Sequence, residues 1–253
     1  MRVLLINPNT TQAMTDRMAE VAREIVPEGV EIVPLTASKG FPYIASRAEA
    51  QIAGGIVLEM IAEHAEGVDA VVVAAFGDPG LAAARDLFDL PVIGMAEASL
   101  MTAAMLGERL AVVTFSPHMV RWYADCVRLS GLETRFTGVL CPEVAPSSVN
   151  GVATAMRDDL IALATRATMQ EGADVVILGG APLAGLAPLI APETPGLLVD
   201  PIAAATLQAV ALARLAPSYA IRPARPAAKP STGLGPALQD VIAGTTREQH
   251  HDA

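Results

Sequence analysis

The chain has 253 residues, 52% of them hydrophobic but only 4% aromatic, and its 17 Lys and Arg against 27 Asp and Glu give a formal net charge of -10. That length fits one large α/β domain or two lobes of ordinary size, with a core of Ala, Val, Leu and Ile as buried parallel strands prefer. The acidic balance excludes a nucleic-acid partner, which needs a clustered positive surface. Apolar runs broken by Gly, Pro or a charge well before the roughly 20 residues of a bilayer span exclude a membrane partner.

Val3 to Asn7 reads as a first strand. Pro8 and Asn9 end the apolar run too early for a secretory leader, so a cytoplasmic chain is expected. A helix over 11–26 follows, with Thr10 or Thr11 as N-cap, then a strand from Val30 to Thr36 and a loop from Ala37 to Ala45. A helix from Ser46 to about Glu66 stops at Gly67 before the apolar strand Ala70 to Ala75, and Pro91 to Gly94 gives a fourth strand. The pattern then repeats. Arg109 to Thr114, Glu133 to Val139, Val175 to Leu178 and Leu197 to Val199 read as strands, with helices over 117–129 and 149–171 between them. Alternation of this kind means βαβ units and parallel sheets in two similar halves. The expected lobes are 1–97 with about 205–220, and 98–204. From Pro217 the composition turns to Pro, Ala, Arg and Lys, so 221–253 is expected as an extended arm, partly disordered, with room for a short helix near 235–243.

Ligands of open parallel sheets lie beyond the carboxyl ends of the strands, so the residues just after each strand are the functional candidates. Asn7, Asn9 and Thr10 offer amides and a hydroxyl where free backbone N–H groups favour a carboxylate, or they serve as a plain turn and cap. Ala75-Phe76-Gly77-Asp78 brings a carboxylate to the start of a helix, where it faces the cleft or caps that helix, and Glu97 follows the fourth strand. Thr114 and Ser116 place hydroxyls at the mouth of the second half. His118 lies in the next turn, where the helix dipole favours a neutral imidazole, although a solvent-facing histidine is the plainer alternative. Gly179, Gly180, Ala181 and Pro182 carry no polar side chain and offer only close backbone approach. Tyr43 lies on the loop after the second strand with Arg47 nearby. Phe41, Tyr43, Phe76, Trp122 and Tyr123 form a candidate lining for a ring-shaped ligand. Cys126 and Cys141 fit neither a zinc site nor a disulfide framework, and the four histidines are scattered, so no metal is expected.

INPNTT at 6–11, FGDPGL at 76–81, PVIGMAEAS at 91–99 and LGGAPLAGL at 178–186 resemble the strand-end motifs of hydantoin and allantoin racemases, and the four blocks in register cover most of 1–205. The resemblance implies two pseudo-symmetric lobes, each a four-stranded parallel sheet flanked by helices, with a substrate cleft between them. It also implies a homo-oligomer and an isomerase that inverts a carbon next to a carbonyl without pyridoxal phosphate or any other cofactor. In the resembled family two cysteines work on opposite faces of the planar carbanion, one as thiolate base and the other as thiol donor. Ala75 and Gly180 stand at those two positions, and neither can move a proton. Cys126 lies ten residues beyond Ser116, about 15 Å along a helix, too far to substitute. Three accounts are open: an artificial double replacement, which Gly180 beside Pro182 fits poorly; a branch with altered chemistry using Asp78, Glu97, His118 or Tyr43 in a one-proton lyase, decarboxylase or isomerase step; and a silent protein that binds a small carboxylate, amide or cyclic ureide.

Overall fold

Val3, Leu4, Leu5 and Ile6 are all shut off from solvent, and the reason is their place in the middle of a sheet with helices on both faces. In the computed structural model, which describes residues 1–149, 151–219 and 225–245, they lie on strand β1 (Arg2–Asn7). The chain continues through α1 (Gln12–Ile25), β2 (Glu31–Thr36), α2 (Arg47–His64), β3 (Ala70–Val73), α3 (Leu81–Leu87), β4 (Val92–Gly94) and α4 (Met95–Leu106). The second half runs β5 (Leu110–Val113), α5 (Val120–Leu129), β6 (Phe136–Leu140), α6 (Val152–Ala155), α7 (Arg157–Met169), β7 (Val175–Leu178), α8 (Ala187–Ile190) and β8 (Leu197–Val199). Helices α9 (Pro201–Leu215) and α10 (Pro236–Ala243) follow.

The strands form two four-stranded sheets of order β2-β1-β3-β4 and β6-β5-β7-β8, every pair parallel. The expected α/β architecture of two similar four-stranded halves is therefore present. In each sheet the strand order reverses between the two central, parallel strands, so each has a crevice at their carboxyl ends. Those crevices hold Asn7–Thr11 and Ala74–Asp78 in one lobe, and Thr114–Ser116 and Gly179–Pro182 in the other.

Strand alternation divides the core. Leu4 and Ile6 join Val71, Val73, Ile56 and Leu238 on the outer face of the first sheet, while Ala111, Val113, Val176 and Leu178 pack with α7 residues on the outer face of the second. Val3, Leu5 and Val72 belong instead to a cluster that also contains Leu110, Val112, Val175 and Ile177, with Leu100, Ala103, Ala205 and Ala209 of α4 and α9 among them. One continuous apolar core therefore joins the sheets.

Several element bounds differ from expectation. The helix expected over 149–171 is two helices with a break at Met156 (φ -112°), and residue 150 lies outside the described residues. Glu133–Arg135 is a 3-10 turn rather than the start of a strand, and Pro117–Met119 is another 3-10 turn ahead of α5. The short helix expected near 235–243 is α10, whose Leu238 is buried in the outer core of the first lobe. The rest of the arm falls partly on residues 220–224 and 246–253, outside the described residues.

Candidate functional site

Asn7 and Asn9 lie at the first crevice, and their hydrogen bonds separate their roles. Asn7 Nδ2 donates to Asn9 Oδ1 (3.0 Å), Thr15 Oγ1 (3.0 Å) and Thr11 O (3.3 Å), and Asn7 Oδ1 accepts from Asn9 N (3.1 Å). Its amide is thus engaged in shaping the turn. Asn9 Oδ1 also accepts from Thr11 N, but among the described residues its Nδ2 meets only the Met14 thioether, at 3.6 Å, leaving donor capacity at a cavity wall. Thr10 is exposed, and its N–H donates to Phe41 O (2.9 Å). Thr11 stands at the N-cap of α1 without capping it, because its hydroxyl donates to Pro42 O (2.6 Å). These two bonds hold the loop that carries Tyr43. The far end of that loop is fixed by Ser46, which caps α2 by accepting from Glu49 N, while Glu49 accepts from Ala45 N (2.5 Å).

At the end of β3, Ala75 is buried and Phe76 turns into the interlobe space. Gly77 has φ +120°, and a Cβ there would come within 2.2 Å of the Trp122 ring, so both backbone and space demand glycine. Asp78 does not cap its own helix, whose N-cap is Gly80. Its carboxylate instead accepts from Ala96 N (2.8 Å) and Glu97 N (2.7 Å) at the start of α4, 18 and 19 residues away. Gly94 makes room for it, since a Cβ there would lie 2.3 Å from Asp78 Cγ. The residue as a whole is half-buried, but its carboxyl group is enclosed, and burial pushes its pKa up to about 7 against those two hydrogen bonds. Glu97 pairs with Arg85. Neither acid lines a cavity of the interlobe region.

In the second lobe, Thr114 Oγ1 is buried without a hydrogen-bond partner among the described residues. Ser116 is buried and accepts from His118 N (3.4 Å), and His118 itself is exposed. Gly179 lets Val112, Tyr123 and Phe76 close in, since its Cβ would meet them at 2.8, 3.2 and 3.3 Å. Gly180 has φ +129°, and a Cβ there would lie 2.9 Å from the Phe115 ring and 3.6 Å from the Tyr123 hydroxyl.

The two crevices meet in a small cavity of about 20 Å³ walled by Asn9, Tyr43, Ile44, Ala75, Phe76, Trp122, Tyr123 and Ala181. That is room for about one water. Aromatic rings crowd it: Phe76 on Tyr123 at 4.6 Å between centroids, Trp122 on Tyr123 at 5.9 Å, and Tyr43 on Phe115 at 5.9 Å. Of the aromatic set read from the sequence, only Phe41 is not a wall. Ala181 also borders a larger cavity of about 580 Å³ between α1 and the α6–α8 region, where Thr11, Met14, Arg17, Thr154, Arg157 and Pro182 are among the walls. Arg17 and Arg157 were not legible as site residues, because no motif marks them and only the packing of one lobe against the other brings them together. Arg17 Nε donates across the lobes to Ala184 O (3.2 Å), and Arg157 pairs with Glu193. Arg47, near Tyr43 in sequence, pairs with Asp125 and donates to Arg121 O across the cleft.

Neither cysteine is a wall of these two cavities. Cys126 Sγ donates to Trp122 O (3.4 Å), and burial with the nearby Asp78 and Asp125 pushes its pKa up to about 12. Cys141 follows the outer strand β6, is not a wall of either cavity, and has its pKa raised by burial. Among the described residues there is no cluster of metal-ligating side chains, and no helix is long and apolar enough to cross a membrane.

Comparison with known proteins agrees with this geometry. The Asp/Glu/Hydantoin racemase family model matches residues 3–209. The chain is 30% identical to the hydantoin racemase of Paenarthrobacter aurescens over 217 residues, 85% of this chain and 92% of that one, and 32% identical to a Pseudomonas hydantoin racemase over 205 residues, 81% and 82%. The solved allantoin racemase from Klebsiella pneumoniae superposes with a TM-score of 0.86 at 31% identity, covering 95% of this chain and 98% of that one. A match of this extent in both sequence and architecture makes the chain a member of the Asp/Glu/hydantoin racemase family, a group whose activity is of the cofactor-independent racemase type.

Proposed function

We propose that this protein binds a small carboxylate, amide or cyclic ureide between its lobes and does not perform two-thiol inversion. The observation that carries this reading is the pair of facing strand ends, where Ala75 forms a cavity wall and Gly180 is pressed against Phe115. Inversion needs a titratable group on each face of the reacting carbon, and a methyl group and a hydrogen occupy those places. The polar groups left at the small cavity are the Asn9 amide and two phenols. Such a set suits ligand binding, or a lyase or decarboxylation step in which one proton is delivered from one side. The cavity of about 580 Å³ is within the usual range for a ligand site, and Ala181 is a wall of both cavities.

The test is exchange in D2O with hydantoins, allantoin, aspartate and glutamate, followed by NMR at the α-carbon. No thiol-dependent exchange is expected. Rapid exchange abolished by alkylating Cys141 would overturn the reading. Binding is read separately from the emission of Trp122, the single tryptophan of the chain and a wall of the small cavity.

The same proposal extends to setting and assembly. Two free cysteines suit a reducing cytoplasm. Exposed Met105, Leu129, Met169 and Leu215 suit burial between copies in a homo-oligomer, and a monomer mass by light scattering would refute that assembly.

A further inference from the structure

The cavity between α1 and the α6–α8 region offers a ligand far more room than the strand ends do, about 580 Å³ against about 20 Å³, and Ala181 borders both. The walls of the larger space therefore decide which substituent a ligand can carry. Most of them are apolar, Met14, Val149, Pro182 and Leu186 among them. Its charged walls are Arg17 from the first lobe and Arg157 from the second, with no acid beside them among the described residues. In a chain of net charge -10, that bias runs against the composition.

Arg17 is fixed to the opposite lobe. Its Nε donates to Ala184 O (3.2 Å), and its Nη2 lies over Gly185, where a Cβ would come within 2.6 Å of it. Gly185 is in turn held by Asp200, which accepts from its N–H (2.6 Å). Arg157 donates to Glu193 through Nη1 and Nη2. The acids that meet the two guanidinium groups are Glu20 (3.4 Å from Arg17), Glu193 and Asp158 (3.7 Å from Arg157); all three are exposed and none is a wall of the cavity. Ion pairs between exposed groups contribute little, so an anion in the cavity can share either cation. Arg17 Nη2 and Arg157 Nε complete no hydrogen bond among the described residues, which leaves a donor on each.

We propose that this cavity is a side-chain pocket for a ligand whose substituent has an apolar stem and a carboxylate tip, with Arg17 and Arg157 meeting the tip from the two lobes. The inference rests on the ligand reading above and adds the class of side chain that the ligand carries. Apolar walls favour a stem of methylene groups. The planar fork of a guanidinium matches a carboxylate, and its charge discriminates against an uncharged group of the same shape. Binding changes no covalent bond.

The experiment is a calorimetric titration at neutral pH with two ligands of one shape: hydantoin carrying a propionate side chain, and the same ring carrying the matching propionamide. The parent protein is expected to bind the acid about 5-fold more tightly or better, the scale of a charge pair at a partly exposed site. Arg157→Met should remove most of that preference while changing the affinity for the amide by less than about 2-fold. Arg17→Gln is the second variant: it loses the charge, keeps an amide donor for Ala184 O, and should narrow the preference in the same direction. Equal affinity of the parent for the two side chains, or a preference unchanged in both variants, would overturn the acidic pocket and leave the ligand reading standing. A parent protein that binds neither ligand would overturn both.

Discussion

Gly77 and Gly94 show how single residues shape the cleft, each by yielding space to a named side chain. Gly77→Ala would set a methyl group 2.2 Å from the Trp122 ring at a φ of +120°, so the ring must move. A loss of about 1–3 kcal/mol in urea unfolding and a shifted Trp122 emission maximum are expected. Gly94→Ala has no backbone strain (φ -86°), yet its Cβ would press on the Asp78 carboxylate. Asp78 itself gives a pH signature. Its folded pKa of about 7 lies above the ordinary 3.8, so the folded state holds this proton more tightly than the unfolded chain. Its contribution to stability is therefore present below about pH 4 and is lost as pH rises toward 7. The Asp78-dependent part of the urea midpoint should fall between about pH 4 and pH 7, and Asp78→Asn should flatten that slope; an identical slope in the variant would refute the assignment. At this scale the sequence was only half legible. Asn7, Asn9, Phe76 and Gly180 could be expected at the strand ends because each closes a strand or lies within three residues of one. The target of Asp78 could not, because its partners lie across β4, and side-chain identity carries no sign of so distant a backbone N–H.

Among the elements, strands were the most legible, since buried runs such as Val71–Val73 and Val175–Leu178 have no competing reading once turn residues bound them. The break at Met156 has no proline or glycine to announce it, and the 3-10 turn at Glu133–Arg135 runs straight into the strand Phe136–Leu140 with no glycine or proline between them. Helix ends repay closer attention. Asp200 begins α9 and accepts from Ile202 N (3.0 Å), Ala203 N (3.1 Å) and Gly185 N (2.6 Å), so one carboxylate ties the helix to the turn beyond Gly180. Asp200→Ala leaves two buried donors and one part-buried donor without this acceptor and should cost about 1–3 kcal/mol by thermal or urea unfolding, more than the loss of an ordinary surface cap. An unchanged melting temperature would show that water replaces it freely.

For the whole molecule, two similar parallel halves were legible from the repeat of βαβ units, but their shared strand order and their union were not. The cluster that includes Leu5, Val72, Leu110 and Ile177 crosses from one sheet to the other through α4 and α9. Unfolding in urea should therefore be a single transition, with Trp122 emission and far-UV circular dichroism coincident; two separated transitions would show that the halves are independent.

That shared interior also restrains the two halves: swinging them apart would bring Leu5, Val72, Leu110 and Ile177 toward water. The stretch from Phe41 to Ala45, held by two threonines near one end and a Ser–Glu pair near the other, keeps Tyr43 on the cavity wall.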